Sequence, residues 1–184
     1  MPSLSGALEA RLRALGATVP AGAGTFTERL SSVAFPGPDP TFIFEEWADY
    51  AENALFDALR AQPQRAAELV TYPELVWDVR PFTPFTPGTP DHDEWTGTIE
   101  AGPLTALCGI AAPTVVFLGY SSGWPNHYFV IAEDPHPEDP TVYTTDHEVY
   151  FDEVESPGAL SELLATLLTP EEFEASVREA LAED

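Results

Sequence analysis

Three of the four histidines, His127, His136 and His147, lie among Asp134, Asp139, Asp146 and Glu148, so acid–base or metal chemistry is sought first between residues 127 and 148. A small metal-dependent or other hydrolase would use His127, Asp146 and His147, with imidazoles as ligands or bases and the carboxylate as their partner. The spacing matches no recognised ligand interval. Asp146 and His147 are adjacent, so on a strand they point to opposite faces. Gly119-Tyr-Ser-Ser-Gly123 matches the Gly-x-Ser-x-Gly pattern of a nucleophile elbow, but an elbow needs a strand entering a helix, and Trp124-Pro-Asn126 leads into another strand. Those glycines read as a turn. The acidic stretch 133–140 lacks the alternating ligands and central glycine of a calcium loop and reads as a solvated turn. Cys108 is the only cysteine, which excludes an internal disulfide, and its apolar surroundings make it a buried, inert thiol. No phosphate loop or dinucleotide fingerprint occurs, so no catalytic residue, metal or cofactor is expected.

Charge separates this chain from an ordinary globular sequence. Thirty-one acidic residues stand against seven basic ones, all arginine, for a formal net charge of -24. Between Arg80 and Arg178 there is no lysine or arginine, while 17 carboxylates fall in that interval. Such a field repels nucleic acid and anionic lipid and steers cationic partners inward, so neither direct nucleic-acid binding nor membrane association is expected. The other reading of the acidity is solubility alone. With 44% hydrophobic and 11% aromatic residues the chain folds rather than forming a disordered acidic tail. Its 184 residues suit a single domain over 1–184, and no oligomeric state follows from them. No apolar run reaches membrane-spanning length, and residues 1–15 lack the basic start and cleavage site of a secretory signal, which points to the cytoplasm.

The elements that must position these residues follow from periodicity. Leu4, Leu8, Leu12 and Leu15 form a helical stripe closed by Gly16. Residues 25–34 read equally as a strand or a helical turn, and the prolines of 35–40 interrupt any ladder. Residues 41–60 read as one amphipathic helix, with Phe44, Trp47, Ala51, Leu55 and Ala58 opposite Glu45, Asp49, Glu52, Asn53 and Asp57. Phe56 falls on the acidic side, where it packs under a loop or serves a partner. Pro63 opens a short helix over 64–70. Leu75, Trp77 and Val79 alternate as in a strand over 74–80, ended by Pro81. Residues 82–93 read as an extended surface loop, and 95–101 as a return to the sheet. Strands over 114–118, 127–132, 142–144 and 148–151 imply an antiparallel meander. Ser156-Pro157 reads as the start of a helix striped by Leu160, Leu163, Leu164, Leu167 and Leu168. Thr169-Pro-Glu-Glu172 is a capping box for a last helix carrying Phe173, Val177 and Leu181. These two helices should cover one sheet face, the alternative being an exposed leucine groove for a partner.

Val116-Phe-Leu-Gly-Tyr-Ser-Ser-Gly123, Tyr128-Phe-Val-Ile-Ala-Glu-Asp134, Pro140-Thr-Val-Tyr-Thr-Thr-Asp-His-Glu148 and the leucine stripe of 156–168 follow in an order that resembles the SUKH superfamily, which includes bacterial toxin-immunity proteins and fungal cell-wall assembly regulators. The resemblance is best over 103–168, with an elaborated N-terminal half over 1–100. It implies an α+β fold, a single antiparallel-dominated twisted sheet flanked by helices. It also implies a non-enzymatic binding role. Combined with the charge, it suggests an immunity protein that neutralises a cationic, nuclease-type toxin, or alternatively a regulatory scaffold with several partners. The residues expected at the partner surface are Tyr120, Trp124, Asn126, Tyr128, Asp146, His147 and Glu148, with Trp124 and Tyr128 as aromatic anchors.

Overall fold

Six strands, each hydrogen-bonded to its neighbour in sequence, form one antiparallel sheet in the computed structural model, which describes residues 4–21, 24–122 and 126–183. They are β1 (Thr41–Ile43), β2 (Glu74–Phe82), β3 (Val115–Ser121), β4 (Asn126–Ile131), β5 (Thr141–Asp146) and β6 (Glu155–Ala159). The helices are α1 (Gly6–Ala14), α2 (Phe26–Ser31), α3 (Trp47–Tyr50), α4 (Asn53–Ala61), α5 (Ala66–Leu69), α6 (Pro90–Trp95), α7 (Gly102–Cys108), α8 (Leu160–Ala165) and α9 (Pro170–Glu183), among the described residues. The α+β class with helices flanking a single sheet is therefore as expected. No helix among the described residues is long and apolar enough to cross a membrane.

Both sheet faces are buried, which is why β3 reads as a continuous apolar run rather than an alternating one. Val116, Leu118, Val130 and Val142 face Leu8 and Leu12 of α1, Leu30 of α2, and Leu160, Leu163 and Leu164 of α8. On the opposite face Val115, Phe117, Phe129, Ile131 and Tyr143 pack beneath Leu104 and Phe151. Each such side chain, fully buried, contributes roughly 1.5–3 kcal/mol of transfer free energy. A third cluster lies beside β1, where Ile43, Trp47, Leu59, Val70, Phe173 and Val177 meet. Arg11 ties the first and third clusters together. Its Nε donates to the Leu164 carbonyl at 3.0 Å, its Nη2 donates to Leu167 O, and its Nη1 pairs with Glu172 at 2.9 Å. A carbonyl in the last turn of α8 and one just beyond the helix thereby meet a cation.

A β-bulge in β3 sets the position of everything beyond it. Phe117 pairs with Phe129 but Gly119 pairs with Tyr128, so Leu118 is the extra residue. Gly119 has φ +156° and lies against β2, where a Cβ would overlap the Val76 carbonyl oxygen. Only glycine fits this approach.

Several expectations are corrected. Residues 41–60 are not one helix: Thr-Phe-Ile pairs with β2, Glu45 N–H bonds Thr166 O, and two helices separated by extended Ala51 follow. Long-range pairing outweighs a helical pattern here. Phe56 is half-buried, 6.1 Å from the Trp47 ring. Residues 25–34 resolve as α2 with a full Thr25/Glu28 capping box. The strand at 74 continues through Pro81 to Phe82; β1 covers only Glu74–Val76, so Pro81 lies where β2 is an edge and its missing N–H costs little. Residues 82–93 are no open loop, because Phe82 and Phe85 enter the second cluster and Thr89 caps α6. Residues 95–101 do not rejoin the sheet and make only an isolated bridge, Thr96 to Ile99. Residues 148–151 form a turn running into a 3-10 turn, Tyr150–Asp152, rather than a strand. Ser156-Pro157 lies in the edge strand β6, not at a helix start, and α8 begins at Leu160. Of the last two helices only α8 covers the sheet; α9 joins the third cluster through Phe173 and Val177. The Thr169/Glu172 capping box is present, with bonds of 2.7 and 3.1 Å.

Candidate functional site

The end of β3, the start of β4 and the end of β5 coincide. Tyr120 pairs with His127, His127 with Thr145, and Asn126 with Asp146, so Tyr120, Asn126, Tyr128 and Asp146 share one end of the sheet, with His147 and Glu148 following directly. Trp124 lies outside the described residues. Strand alternation divides the rest: Tyr120, His127 and Thr145 fall on one face and Tyr128 on the other. Tyr120 is 39% exposed, which suits a contact residue. Tyr128 is half-buried, with its ring 5.9 Å from Phe44.

On the first face His127 is walled by rings. It stacks on Tyr150 at 6.1 Å and an 11° tilt, and lies 5.3 Å from Phe117 and 6.4 Å from Tyr120. The Arg80 guanidinium sits 5.7 Å from the Phe117 centroid. Burial holds the His127 pKa below its ordinary value, Arg80 and His147 push it the same way, and Asp146 opposes them. Asp146 and His147 do come together, contrary to strand alternation, because β5 ends at Asp146. Their Oδ1 to Nδ1 separation is 3.5 Å, and Asp146 Oδ1 accepts the Glu148 N–H at 2.7 Å. The His147 Nδ1 and Thr145 Oγ1 atoms are buried without a hydrogen-bond partner. His136 is exposed in the turn between β4 and β5, 3.8 Å from Glu138. No group of three or more His, Cys, Asp or Glu side chains able to hold a metal occurs among the described residues.

The two serines of the Gly-x-Ser-x-Gly pattern have structural partners. Ser121, buried at the end of β3, bonds the Tyr128 side chain, and Ser122 Oγ donates to Thr71 O at 2.9 Å. Cys108 is half-buried rather than buried, its thiol 3.9 Å from the Ile110 carbonyl at the end of α7. The acidic turn is ordered by Asp134, whose buried carboxylate accepts the N–H groups of His136 and Thr141 at 2.7 and 3.0 Å.

On the second face a corner not anticipated from the sequence brings phenols and carboxylates together. Tyr50 and Tyr72 meet at 5.3 Å with rings at 86°. Burial raises the Tyr72 phenol above its ordinary pKa, with Tyr50 and Glu46 adding to the rise. Burial is likewise the main cause at Tyr128, reinforced by Glu46, Tyr50 and Tyr72 and opposed by the Ser121 hydrogen bond. Glu46 itself is raised by burial and by the charges of Glu45 and Asp49. Placing 41–60 on one helix hid this corner, since it set Glu45 and Asp49 on a solvated face. The available signal was Thr-Phe-Ile-Phe, whose β-branched and aromatic content suits a strand.

Arginine placement completes the electrostatics. Arg11, Arg13 and Arg29 pair with Glu172 and Glu9 beside α1, while Arg65 and Arg178 pair with Glu68 and Glu174 within their own segments. Among the described residues Glu45, Glu46, Asp49, Glu148, Asp152, Glu153 and Glu155 form no ion pair, and Asp146 pairs only with His147.

The fold and this sheet end define an α+β protein with a wholly antiparallel meander and an acidic, aromatic-bearing edge. No protein-family model, curated protein or solved structure matches the chain.

Proposed function

We propose that the chain is a non-enzymatic cytoplasmic interaction protein that binds a basic protein through the acidic end of its sheet, in the manner of an immunity protein blocking a nuclease-type toxin. One observation carries the reading: five of the seven arginines pair with carboxylates elsewhere, while among the described residues Glu45, Glu46, Asp49, Glu148, Asp152, Glu153 and Glu155 form no ion pair, and Arg80, the arginine that reaches this sheet end, pairs with Asp78 and lies over Phe117. Uncompensated like charge destabilises the free protein, and a cationic partner relieves it while being steered inward. The resemblance to the SUKH superfamily supports the same conclusion. A nuclease must present a positive surface to its substrate, so an acidic binder that covers it blocks the activity directly.

The test is inhibition. Purified basic nuclease-toxin domains are assayed for DNA and RNA cleavage with and without the protein, at about 0.05 M and about 0.2 M salt. Stoichiometric inhibition that weakens with salt supports the reading, and unaffected cleavage across the panel counts against it. The meeting of Asp146 with His147 beside His127 favours a second reading, a hydrolase. Hydrolytic turnover abolished by Asp146→Asn would establish it.

A further inference from the structure

The outer edge of β1 is open, and it faces a groove. Trp77 N–H bonds Pro40 O at 2.8 Å and Phe44 N–H bonds Pro73 O at 3.3 Å, so residues 40, 42 and 44 turn their backbone groups toward β2. Thr41 and Ile43 therefore turn theirs outward. Beyond Ile43 the edge is covered, because the Ile43 carbonyl accepts the Leu168 N–H at 3.0 Å and Glu45 N–H bonds Thr166 O. Short of that point the Thr41 N–H and C=O and the Ile43 N–H have no backbone partner among the described residues. At the opposite edge of the sheet β6 carries Glu155 and Pro157, residues that discourage strand addition, and β1 carries neither a charge nor a proline.

A groove of about 510 Å³ runs along these open groups, with Leu15 and Phe35 on one wall, Phe173 on the other and Leu168 at its end. Leu15 and Phe35 pack with the cluster on the Phe42 face, whereas Phe173 packs with Ile43 on the other face. The groove thus continues the plane of the sheet between its two covering layers, which is the position one further strand takes. Its charge is one-sided. Glu171 lines it, Asp39 and Glu45 flank β1, and all three are exposed and form no ion pair among the described residues. A second copy of this chain, with its own net charge of -24, would be repelled. We propose that an extended segment of the basic partner adds to β1 as a seventh strand, bonded to the Thr41 and Ile43 backbone, with apolar side chains in the groove and flanking Lys or Arg beside Asp39, Glu45 and Glu171. This deepens the proposed function and rests on it for the charge of the partner. Main-chain bonds supply the affinity, the groove selects apolar side chains, and the carboxylates select against acidic strands.

The probe is acetyl-Lys-Val-Ile-Val-Lys amide, titrated into the isotope-labelled full-length protein at about 0.05 M salt. The Thr41 and Ile43 amide resonances should shift saturably and their hydrogen exchange should slow, while exchange at Phe42, whose N–H faces β2, changes little. The same peptide N-methylated at its three central residues keeps its charge and side chains and loses its donors, so it should bind at least about fivefold more weakly. Thr41→Pro removes an outward N–H without touching the ladder to β2 and should weaken the unmethylated peptide by a similar factor, while Thr41→Val should bind as the wild type does. Glu171→Gln should weaken it about two- to fivefold. No saturable shift at Thr41 and Ile43, or equal affinity for the methylated peptide, overturns the site; self-association of the wild type that Thr41→Pro abolishes gives the edge to a second copy and overturns it too. A basic nuclease domain separates this from the broader reading. If it binds the wild type and Thr41→Pro equally, the β1 edge is refuted and the basic partner stands; if the peptide binds at β1 but no basic protein does, the strand-accepting edge stands and the partner reading fails.

Discussion

Replacing Gly119 by alanine isolates the bulge that places Tyr120 and Tyr128. A Cβ there would overlap the Val76 carbonyl oxygen and lie 3.0 Å from its carbon and 3.2 Å from Trp77 Cα. The obstacle is backbone, held by β1 on its far side and by the buried Trp77 ring, so it cannot rotate away. Two costs add. Spreading β2 from β3 weakens ladder hydrogen bonds between 75–77 and 119–121, at about 1 kcal/mol each. A β-carbon at φ +156° adds strain of about 1–3 kcal/mol. The sum, about 4 kcal/mol, is a large part of the 5–15 kcal/mol typical of a whole domain and lowers Tm by roughly 10 °C. Gly109 is the control: it closes α7 at φ +75° with open space around its Cβ position, so Gly109→Ala should cost only about 1 kcal/mol. Urea unfolding followed by circular dichroism reads both variants at a common m-value. If Gly119→Ala costs no more than Gly109→Ala, close strand approach is not what fixes this residue.

Glu172 gives a pH signature. Its hydrogen bond from Arg11, with further bonds from Thr169, holds its carboxyl at about 2 against an ordinary 4.5. The folded value lies below the unfolded one, so the stabilisation is complete above about pH 4.5 and is lost as pH falls toward 2. The carboxylate is nearly half exposed, so after solvent screening the effect is about 1 kcal/mol, seen as a wild-type minus Arg11→Met difference that narrows by that amount across the window in urea titrations, the part due to the Leu164 and Leu167 carbonyl bonds remaining. Asp134→Ala strands the His136 and Thr141 N–H groups and should cost about 2–3 kcal/mol, and Asp134→Asn less, by the same unfolding assay. Trp47→Ala removes the centre of the third cluster and its 2.8 Å bond to Ser176, costing about 3–5 kcal/mol, with hydrogen exchange rising in α4 and α9 before the sheet.

What could be read from the chain was whatever local pattern and tertiary pairing agreed upon. The meander over 114–146 was legible because β-branched runs alternate with turn residues, and the last helix because Thr169 and Glu172 satisfy each other within four residues. Residues 41–60 were misread because strand pairing with β2 is non-local and a three-residue strand leaves almost no period to detect. Ser156-Pro157 carried a valid helix-start signal that the edge position of β6 overrode. The His127 face was found from residue types, although its stacking on Tyr150 was not, because Tyr150 arrives from a turn at positive φ. The Tyr50–Tyr72 corner joins segments more than 20 residues apart and required the third dimension.

Association kinetics with a basic nuclease-toxin domain test the central claim most directly. Stopped-flow mixing across a salt series compares the wild type with a variant carrying Asp146→Asn, Glu148→Gln, Asp152→Asn and Glu153→Gln. Steering by the acidic sheet end predicts a wild-type rate falling about tenfold or more between about 0.05 M and about 0.5 M salt, and a slower, flatter profile for the variant. Equal rates for the two proteins at every salt concentration would contradict it.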